Sequence, residues 1–256
     1  MTVFQDHFSR QAAAYARYRP TYPAELFAYL ASVSPRRDRA WDCATGSGQA
    51  ALGLAPHFRE VIATDASDAQ IVNAAPDPRV RYMVAASERS GLSARSIDLI
   101  TVAAALHWLD LDAFYREAKQ VSAPGAVIAA WTYDLASVDP AIDAKIRKFS
   151  AQTVGQFWPP ERRYVDLEYR TIPFPFERLK TPHFSARAEW SLGQLESYVG
   201  TWSAVVKAQA RTGRDPLAIL DGWLAPLWGP AERVRTVSWE LFLLVGRVDG
   251  TSRRRR

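Results

Sequence analysis

The stretch WDCATGSGQAA, residues 41–51, decides the fold of this chain. It leaves an apolar run typical of a strand and enters a pattern typical of a helix. Gly46 and Gly48 lie at the junction, where glycine permits a tight turn and a close approach of the backbone to a ligand. With Ala51 these glycines also satisfy the relaxed dinucleotide fingerprint, so the turn alone leaves the ligand open. An ordinary βα turn without a ligand is the other interpretation.

Short apolar runs alternate with helical patterns from residue 39 onward. Strands are predicted near 40–44, 60–64, 80–84, 97–103 and 126–131, and helices near 48–56, 67–75 and 110–121. This alternation predicts an α/β fold with a doubly wound, mostly parallel sheet. Asp65 ends the second strand, at the separation from the turn expected for a carboxylate that accepts hydrogen bonds from ribose hydroxyls. Together, the turn and Asp65 predict a nucleoside cofactor site.

Asp42 distinguishes between the possible cofactors. It lies four residues before Gly46, where a dinucleotide-binding strand is usually apolar, and a carboxylate there does not favour a pyrophosphate. It suits a cation, such as the amino group of a methionine moiety. The segment resembles the first motif of the class I S-adenosylmethionine-dependent methyltransferases, D-x-G-x-G-x-G, with Ala44 at the first glycine. This resemblance implies that Asp42 binds the methionine end of the cofactor and Asp65 its ribose.

The resemblance covers about residues 38–131. Residues 84–88, VAASE, are similar to the adenine-contacting segment of the family, and residues 96–108 to its fourth strand and following loop. It implies a Rossmann-like, seven-stranded sheet whose last strand is antiparallel, with S-adenosyl-L-methionine as cofactor and S-adenosyl-L-homocysteine as product. The implied cofactor-binding residues are Tyr18, Arg19, Asp42, Ala44, Thr45, Gly46, Gly48, Asp65, Ala66, Ser87, Glu88 and Ala104.

The other segments are predicted to complete a single methyltransferase domain over residues 1–249. Residues 1–35 are predicted to form an N-terminal helical lid of two helices, 38–131 the cofactor-binding core, 132–232 a C-terminal cap that also completes the sheet, and 233–249 the final strand. In the proline- and aromatic-rich second half, helices are predicted near 139–153, 192–210 and 215–225, and strands near 183–190 and 234–248. Residues 250–256 are predicted to be a disordered basic tail.

Methyl transfer from a sulfonium is an in-line displacement, which needs alignment and exclusion of water rather than a metal. A carboxylate acceptor is already ionised, whereas a hydroxyl or phenol needs a base. His107 follows the fourth strand, at the edge where open α/β sheets bind ligands, and its ordinary pKa near 6.5 suits proton transfer. If the reaction uses a base, His107 is the predicted one, and a structural hydrogen bond within the loop is its alternative role. Arg19 is predicted to bind either the methionine carboxylate or an acid group of the substrate. The predicted substrate-binding residues are Tyr15, Tyr22, His107, Trp108 and Trp131.

Two patterns resemble the branch that contains the trans-aconitate methyltransferases, namely the aromatic spacing from Phe8 to Pro23 and ALHW at 105–108. This resemblance implies a small-molecule acceptor and favours a carboxylate oxygen. A C- or phenolic O-methyltransferase acting on a quinone-like or polyketide-like substrate stays open. A nicotinamide-dependent dehydrogenase explains the turn and Asp65 but not Asp42. A non-catalytic cofactor-binding protein is the last alternative.

Composition narrows the class of protein. The 256 residues are 48% apolar and 23% charged, which is typical of a globular domain and excludes an array of many domains. Cys43 is the single cysteine, which indicates a reducing compartment, and no apolar run of about 20 residues occurs, so a cytoplasmic protein without a membrane partner is expected. Arg253–Arg256 supply four charges of the net +5; without them 32 basic residues become 28, against 27 acidic ones. Nucleic acid is therefore not a predicted partner.

Overall fold

A computed structural model describes residues 18–249 of the chain. The first of the two predicted lid helices and the arginine tail lie outside this range. The second lid helix is present as α1, Ala24–Val33, which follows Pro23 in extended conformation. It buries Leu26, Phe27, Leu30 and Ala31 against the sheet. Within the described residues, no helix combines the length and the apolar character needed to cross a membrane.

The described strands form one sheet in the order β3-β2-β1-β4-β5-β8-β6, with β7 also paired to β8. The first five strands are parallel, and β8 is antiparallel to β5. The predicted Rossmann-like fold with its antiparallel last strand is confirmed. The bounds are β1 Arg39–Cys43, β2 Glu60–Asp65, β3 Val80–Val84, β4 Ile97–Ala103, β5 Ser122–Tyr133, β6 Glu177–Arg178, β7 Phe184–Trp190 and β8 Arg235–Arg247.

Eight strands occupy seven positions in the described sheet. Both β6 and β7 pair with β8 on the edge that faces away from β5, with Glu177 opposite Arg247 and Phe184 opposite Leu241. They are therefore two parts of one edge strand, interrupted between residues 178 and 184. The prediction of seven strands counts these positions correctly, and the short β6 was not predicted.

Helices cover both faces of the sheet, and short polar side chains begin several of them. Ser67 caps α3, Asp110 caps α4 and Asp139 caps α5, each by accepting backbone N–H groups, while Ser191 and Gln194 form a capping box at α7. The bounds are α2 Gln49–Leu54, α3 Asp68–Val72, α4 Leu111–Val121, α5 Pro140–Lys148, α6 Arg162–Asp166, α7 Leu192–Gly200, α8 Ser203–Thr212 and α9 Leu217–Trp228.

The single helix predicted near 192–210 is wrong, because the chain turns between α7 and α8. Thr201 ends α7, and Trp202 is extended and almost completely buried against Trp158 and Tyr198. The helix predicted near 139–153 likewise ends early as α5, and a π-helical turn over Phe149–Thr153 follows it.

Two hydrophobic clusters lie on opposite faces of the sheet. Successive strand residues alternate between them, so that Leu99 joins one cluster and Ile100 the other. One cluster contains α1, α2 and the C-terminal helices, and the other contains α4. The carboxyl ends of β1, β2, β4 and β5 meet at one edge between these layers, which is where open α/β sheets bind ligands.

Candidate cofactor and substrate site

The turn between β1 and α2 has a conformation that requires small residues. Ala44, Gly46 and Gly48 all have positive φ angles, of 54°, 55° and 87°. A Cβ atom on Gly48 would overlap the ring of Tyr82, so glycine is needed there for space as well as conformation. The predicted glycine turn is therefore present at the carboxyl end of β1.

Asp42 is completely buried beneath this turn. Its Oδ2 accepts a hydrogen bond from the Thr45 hydroxyl at 2.5 Å, and its Oδ1 accepts one from the Thr101 hydroxyl at 2.6 Å. Burial raises the pKa of the Asp42 carboxyl to about 6, against the opposite effect of the two hydroxyls. Through these two hydrogen bonds, Asp42 connects Thr45 of the turn to Thr101 of β4. The predicted contact with a methionine amino group is not open to this buried side chain, whose two oxygens accept from the Thr45 and Thr101 hydroxyls.

Asp65 lies at the end of β2, beside the turn. Its Oδ2 accepts from the Gly46 N–H and its Oδ1 from the Ser67 N–H, both at 2.9 Å. The carboxylate thus connects the glycine turn to the start of α3, and Ala66 next to it is exposed. The backbone of residues 84–88 runs alongside, since the Ala85 N–H donates to the Asp65 carbonyl at 2.9 Å. Ser87 and Glu88 hydrogen-bond to each other at 3.1 Å in this segment.

Gln70, in α3, was not predicted as a site residue. Its side chain is buried close to Gly46, with Oε1 3.9 Å from the position that a Cβ atom on Gly46 would take. Within the described residues, this oxygen has no hydrogen-bond partner. An unpaired buried acceptor costs about 1–3 kcal/mol. A ligand that brings an N–H or O–H group to the turn would satisfy it, and an adenosyl cofactor carries both. The residues at the turn therefore fit such a ligand.

A cavity of about 80 Å³ lies between the carboxyl ends of β4 and β5 and the C-terminal cap. Ala104, which follows β4 with a φ of 52°, lines it on the sheet side. Five aromatic side chains surround the cavity, namely Trp108, Tyr133, Trp158, Tyr198 and Trp202. Its charged lining residues are Arg19, Arg162 and Asp134. Trp108 was predicted from the sequence, whereas Arg162 and the cap residues were not.

Arg19 extends into this cavity rather than towards the glycine turn. Its Nη1 donates to the Tyr133 hydroxyl at 2.8 Å and its Nη2 to the Thr201 carbonyl at 3.3 Å. The guanidinium lies 5.4 Å from the centre of the Tyr198 ring. Tyr18 beside it is half-buried and packs on the hydrophobic cluster that contains α1. Of the two predicted roles of Arg19, the position in the cavity favours contact with a substrate acid group.

His107 lies in a 3₁₀ turn, Leu106–Trp108, and lines the cavity. Its Nδ1 is 2.7 Å from the hydroxyl of Tyr169, a completely buried residue after α6. Burial and, to a smaller extent, the nearby charge of Arg162 together lower the pKa of His107 to about 3. The expectation of a pKa near 6.5 is wrong, because contacts with residues more than 50 positions away remove the imidazole from water.

Trp131 and Tyr22 lie apart from the cavity. Trp131 is completely buried and packs edge-to-face on Tyr22, with ring centres 5.2 Å apart, and on Phe27 of α1. Contrary to the prediction, Trp131 therefore does not form part of the pocket wall, because α1 covers its side chain. Tyr22 lines a surface groove beside Pro23 and Phe184 instead. Tyr15 lies outside the described residues.

Comparisons with known proteins agree with this geometry. Residues 41–130 match the family described as a methyltransferase domain. A protein of Dictyostelium discoideum named as a methyltransferase is 37% identical over 214 residues, 81% of each chain. One of Saccharomyces cerevisiae, named as an S-adenosylmethionine-dependent methyltransferase, is 27% identical over 229 residues, 75% of this chain and 79% of the relative. The solved structure of a type II methyltransferase from Anaeromyxobacter dehalogenans superposes with a TM-score of 0.85, at 45% identity, covering 90% of this chain and 98% of that one.

The strand order, the glycine turn and the acidic end of β2 define the class of protein as a Rossmann-like enzyme with a nucleoside cofactor. The chain belongs to the class I S-adenosylmethionine-dependent methyltransferases. Its cofactor is S-adenosylmethionine, which supplies an electrophilic methyl group on a sulfonium when bound.

Proposed function

We propose that this enzyme methylates a carboxylate oxygen of a small acidic molecule bound in the cavity beside His107. The observation that carries the proposal is that two guanidinium groups, of Arg19 and Arg162, line one small cavity at the carboxyl end of β4. A planar guanidinium matches a carboxylate through two parallel hydrogen bonds. The proposal agrees with the sequence resemblance to the branch of trans-aconitate methyltransferases.

Both arginines also make contacts within the protein that hold them at the cavity. Arg162 donates to Asp166 at 2.7 Å, lies 3.9 Å from Asp134, and stacks 4.3 Å over the Trp158 ring. Arg19 donates to the Tyr133 hydroxyl and the Thr201 carbonyl. Arg19 is expected to orient the acceptor, and the aromatic walls to exclude water from it.

The cofactor is proposed to lie across the glycine turn. Thr45, Gly46 and Gly48 would approach it with their backbone, Asp65 would bind the ribose, and Gln70 would accept a hydrogen bond. The remaining proposed contacts, carried over from the family resemblance, are Tyr18, Ala44, Ala66, Ser87, Glu88 and Ala104. Ala104 lines the cavity from the sheet side, and its small side chain would leave room for the methyl group to meet the acceptor in line.

A carboxylate acceptor needs no protein group that takes up a proton. Carboxylate and sulfonium charges cancel as the methyl ester forms, so no proton is released. A phenolic acceptor is the second candidate, because Trp108, Trp158 and Trp202 offer flat walls for a ring. It would need a base, and His107 with a pKa of about 3 is a weak one.

The first experiment is calorimetric titration with S-adenosylmethionine, S-adenosylhomocysteine and NAD in parallel. Binding of the two adenosyl ligands alone is expected, and binding of NAD alone would contradict the site assignment. The loaded enzyme is then offered matched pairs of small acids, their amides, and phenols, and S-adenosylhomocysteine release is followed. Methyl esters of acids are expected.

Arg19→Gln tests the acceptor assignment in the same assay. It is expected to raise KM for the acids about 10- to 100-fold, the range for a lost hydrogen bond to a charged group. Affinity for S-adenosylmethionine, measured separately, should change much less. Methylation of phenols only, or an Arg19→Gln effect confined to the cofactor, would overturn the carboxylate proposal.

A further inference from the structure

His107 and Tyr169 form a buried contact between the loop after β4 and the segment after α6. The two side chains approach to 2.7 Å, between Nδ1 and the hydroxyl, although they are 62 residues apart. The backbone around Tyr169 is strained, because Glu168 and Tyr169 both have positive φ angles, of 56° and 58°. Such angles cost about 1–2 kcal/mol for each non-glycine residue. They persist where the surrounding structure holds a side chain in one place, often at functional sites.

The surroundings of the Tyr169 hydroxyl determine where its proton goes. Among the described residues, the hydrogen bond of this hydroxyl is its contact with Nδ1 of His107 at 2.7 Å. Burial raises the pKa of the phenol well above its ordinary value, so the group keeps its proton. A phenol has one proton to donate. A proton on Nδ1 of His107 would leave the phenol proton without an acceptor among the described residues, so the Tyr169 proton is directed to Nδ1.

A neutral imidazole that accepts at Nδ1 carries its own proton on Nε2. Burial and Arg162 keep His107 neutral, with a pKa of about 3. Within the described residues, Nε2 of His107 makes no hydrogen bond, and this atom keeps some exposed surface. The nitrogen is therefore open to the cavity that His107 lines with Arg19 and Arg162. His107 offers this cavity an N–H donor.

We propose that Tyr169 is a positioning residue that holds His107 as an Nε2–H donor to the carboxylate of the acceptor. This inference rests on the proposed function, and it replaces the general base that the sequence predicts. Arg19 and His107 would then both donate hydrogen bonds to the anionic acceptor in the cavity that they line. The N–H group of the uncharged imidazole would fix the orientation of the carboxylate. Tyr169 itself contacts neither acceptor nor cofactor and acts through the tautomer of His107.

The tautomer is measured by long-range ¹H–¹⁵N correlation spectra of the full chain labelled at histidine. The spectrum of a His107→Gln variant identifies the signals of His107. In the wild-type protein at pH 7, a neutral ring protonated at Nε2 is expected. Tyr169→Phe should shift the ring towards a mixture of tautomers. A wild-type ring protonated at Nδ1, or a charged ring, would overturn the inference.

Tyr115→Phe is the matched control for the loss of a buried hydroxyl. Tyr115 is also buried, and its hydroxyl donates to the Pro173 carbonyl at 2.6 Å on the same side of the sheet. This variant should leave the His107 spectrum unchanged. If Tyr115→Phe and Tyr169→Phe change the spectrum equally, Tyr169 has only a general packing role.

Kinetics of His107 variants test the donor directly. A Gln side chain places an N–H group near the position of Nε2, whereas an Asn side chain places it near Nδ1. His107→Asn is expected to raise KM for an acid acceptor about 10- to 100-fold, the range for a hydrogen bond to a charged group, and His107→Gln only several-fold. Equal losses in the two variants would contradict the donor role.

The two proposals fail in different ways. If the wild-type ring is protonated at Nε2 but no acid is methylated, the acceptor assignment is wrong and the positioning by Tyr169 stands. If acids are methylated but the ring is protonated at Nδ1, the positioning by Tyr169 is wrong and the acceptor assignment stands.

Discussion

At the scale of single residues, three polar side chains around the glycine turn differ in burial and in hydrogen bonding. Asp42 is occupied by two threonine hydroxyls and completely buried. Asp65 is partly exposed, although it also binds the Gly46 N–H. Gln70 Oε1 lacks a partner within the described residues. Because these side chains differ in burial and hydrogen bonding, we expect their substitution to have different effects on stability and on cofactor binding.

Replacing Asp65 should weaken the cofactor site strongly. Asp65→Ala removes the carboxylate that we propose accepts from the ribose hydroxyls, and each hydrogen bond to a charged group contributes about 1.5–3 kcal/mol. We expect a loss of affinity for S-adenosylmethionine of at least about 100-fold by calorimetry, with the fold intact by circular dichroism. Unchanged affinity would remove the ribose assignment.

Replacing Gln70 should affect stability and binding in opposite directions. Gln70→Met keeps the shape of the side chain and removes the unpaired buried acceptor, so the free protein should become about 1 kcal/mol more stable. Affinity for S-adenosylmethionine should fall about 5- to 10-fold. Denaturant unfolding and calorimetry measure the two effects, and a variant that is less stable and binds equally well would contradict the assignment.

At the scale of elements, the cap is built from helices that bring like charges together. Glu196 of α7 faces Asp221 of α9, and Asp215 lies just before α9. Burial and, to a smaller extent, the charge of Asp221 together raise the pKa of Glu196 to about 7. One proton is therefore held between two packed helices near neutral pH.

Glu196→Gln should stabilise the protein in alkaline solution. The carboxyl has an ordinary pKa of 4.5 in the unfolded chain, so the folded state binds more protons between about pH 4.5 and 7. Stability from this group therefore falls as pH rises through that window. The variant should gain about 0.5–1 kcal/mol at pH 8, because the side chain is half-buried and water screens part of the interaction, and nothing at pH 4.5. Denaturant unfolding measures both values, with Glu25→Gln on the surface of α1 as control.

At the scale of the whole molecule, the site is assembled from segments far apart in the chain. Arg19 precedes α1, His107 follows β4, and Tyr198 belongs to α7, yet all three meet at one end of β5. The cap is joined to the sheet by the long pairing of β8 with β5 and β7. We therefore predict that cap and cofactor core unfold together as one domain.

Thermal unfolding tests this cooperativity. A single transition is expected, and S-adenosylhomocysteine at about 100 times its Kd should add about 2.7 kcal/mol of stability. For a chain of this size, that raises Tm by about 5–10 °C. Two transitions, with only one of them moved by the ligand, would show that the cap is a separate domain.

The sequence by itself determined the order of strands and helices over residues 39–131 and the position of the glycine turn. Predicted and observed bounds agree closely there, as for β3 at Val80–Val84, because hydrophobic period and turn residues are local properties. The class of cofactor, a nucleoside, also follows from local motifs, the turn and Asp65, and Asp42 with the family resemblance predicts S-adenosylmethionine.

Only the tertiary structure decided how individual side chains can act. The pKa and tautomer of His107 depend on Tyr169, the burial of Trp131 depends on α1, and the cavity position of Arg19 depends on Tyr133 and Thr201. Each of these contacts joins residues far apart in sequence. Desolvation and hydrogen bonding act through space, so no local pattern records them.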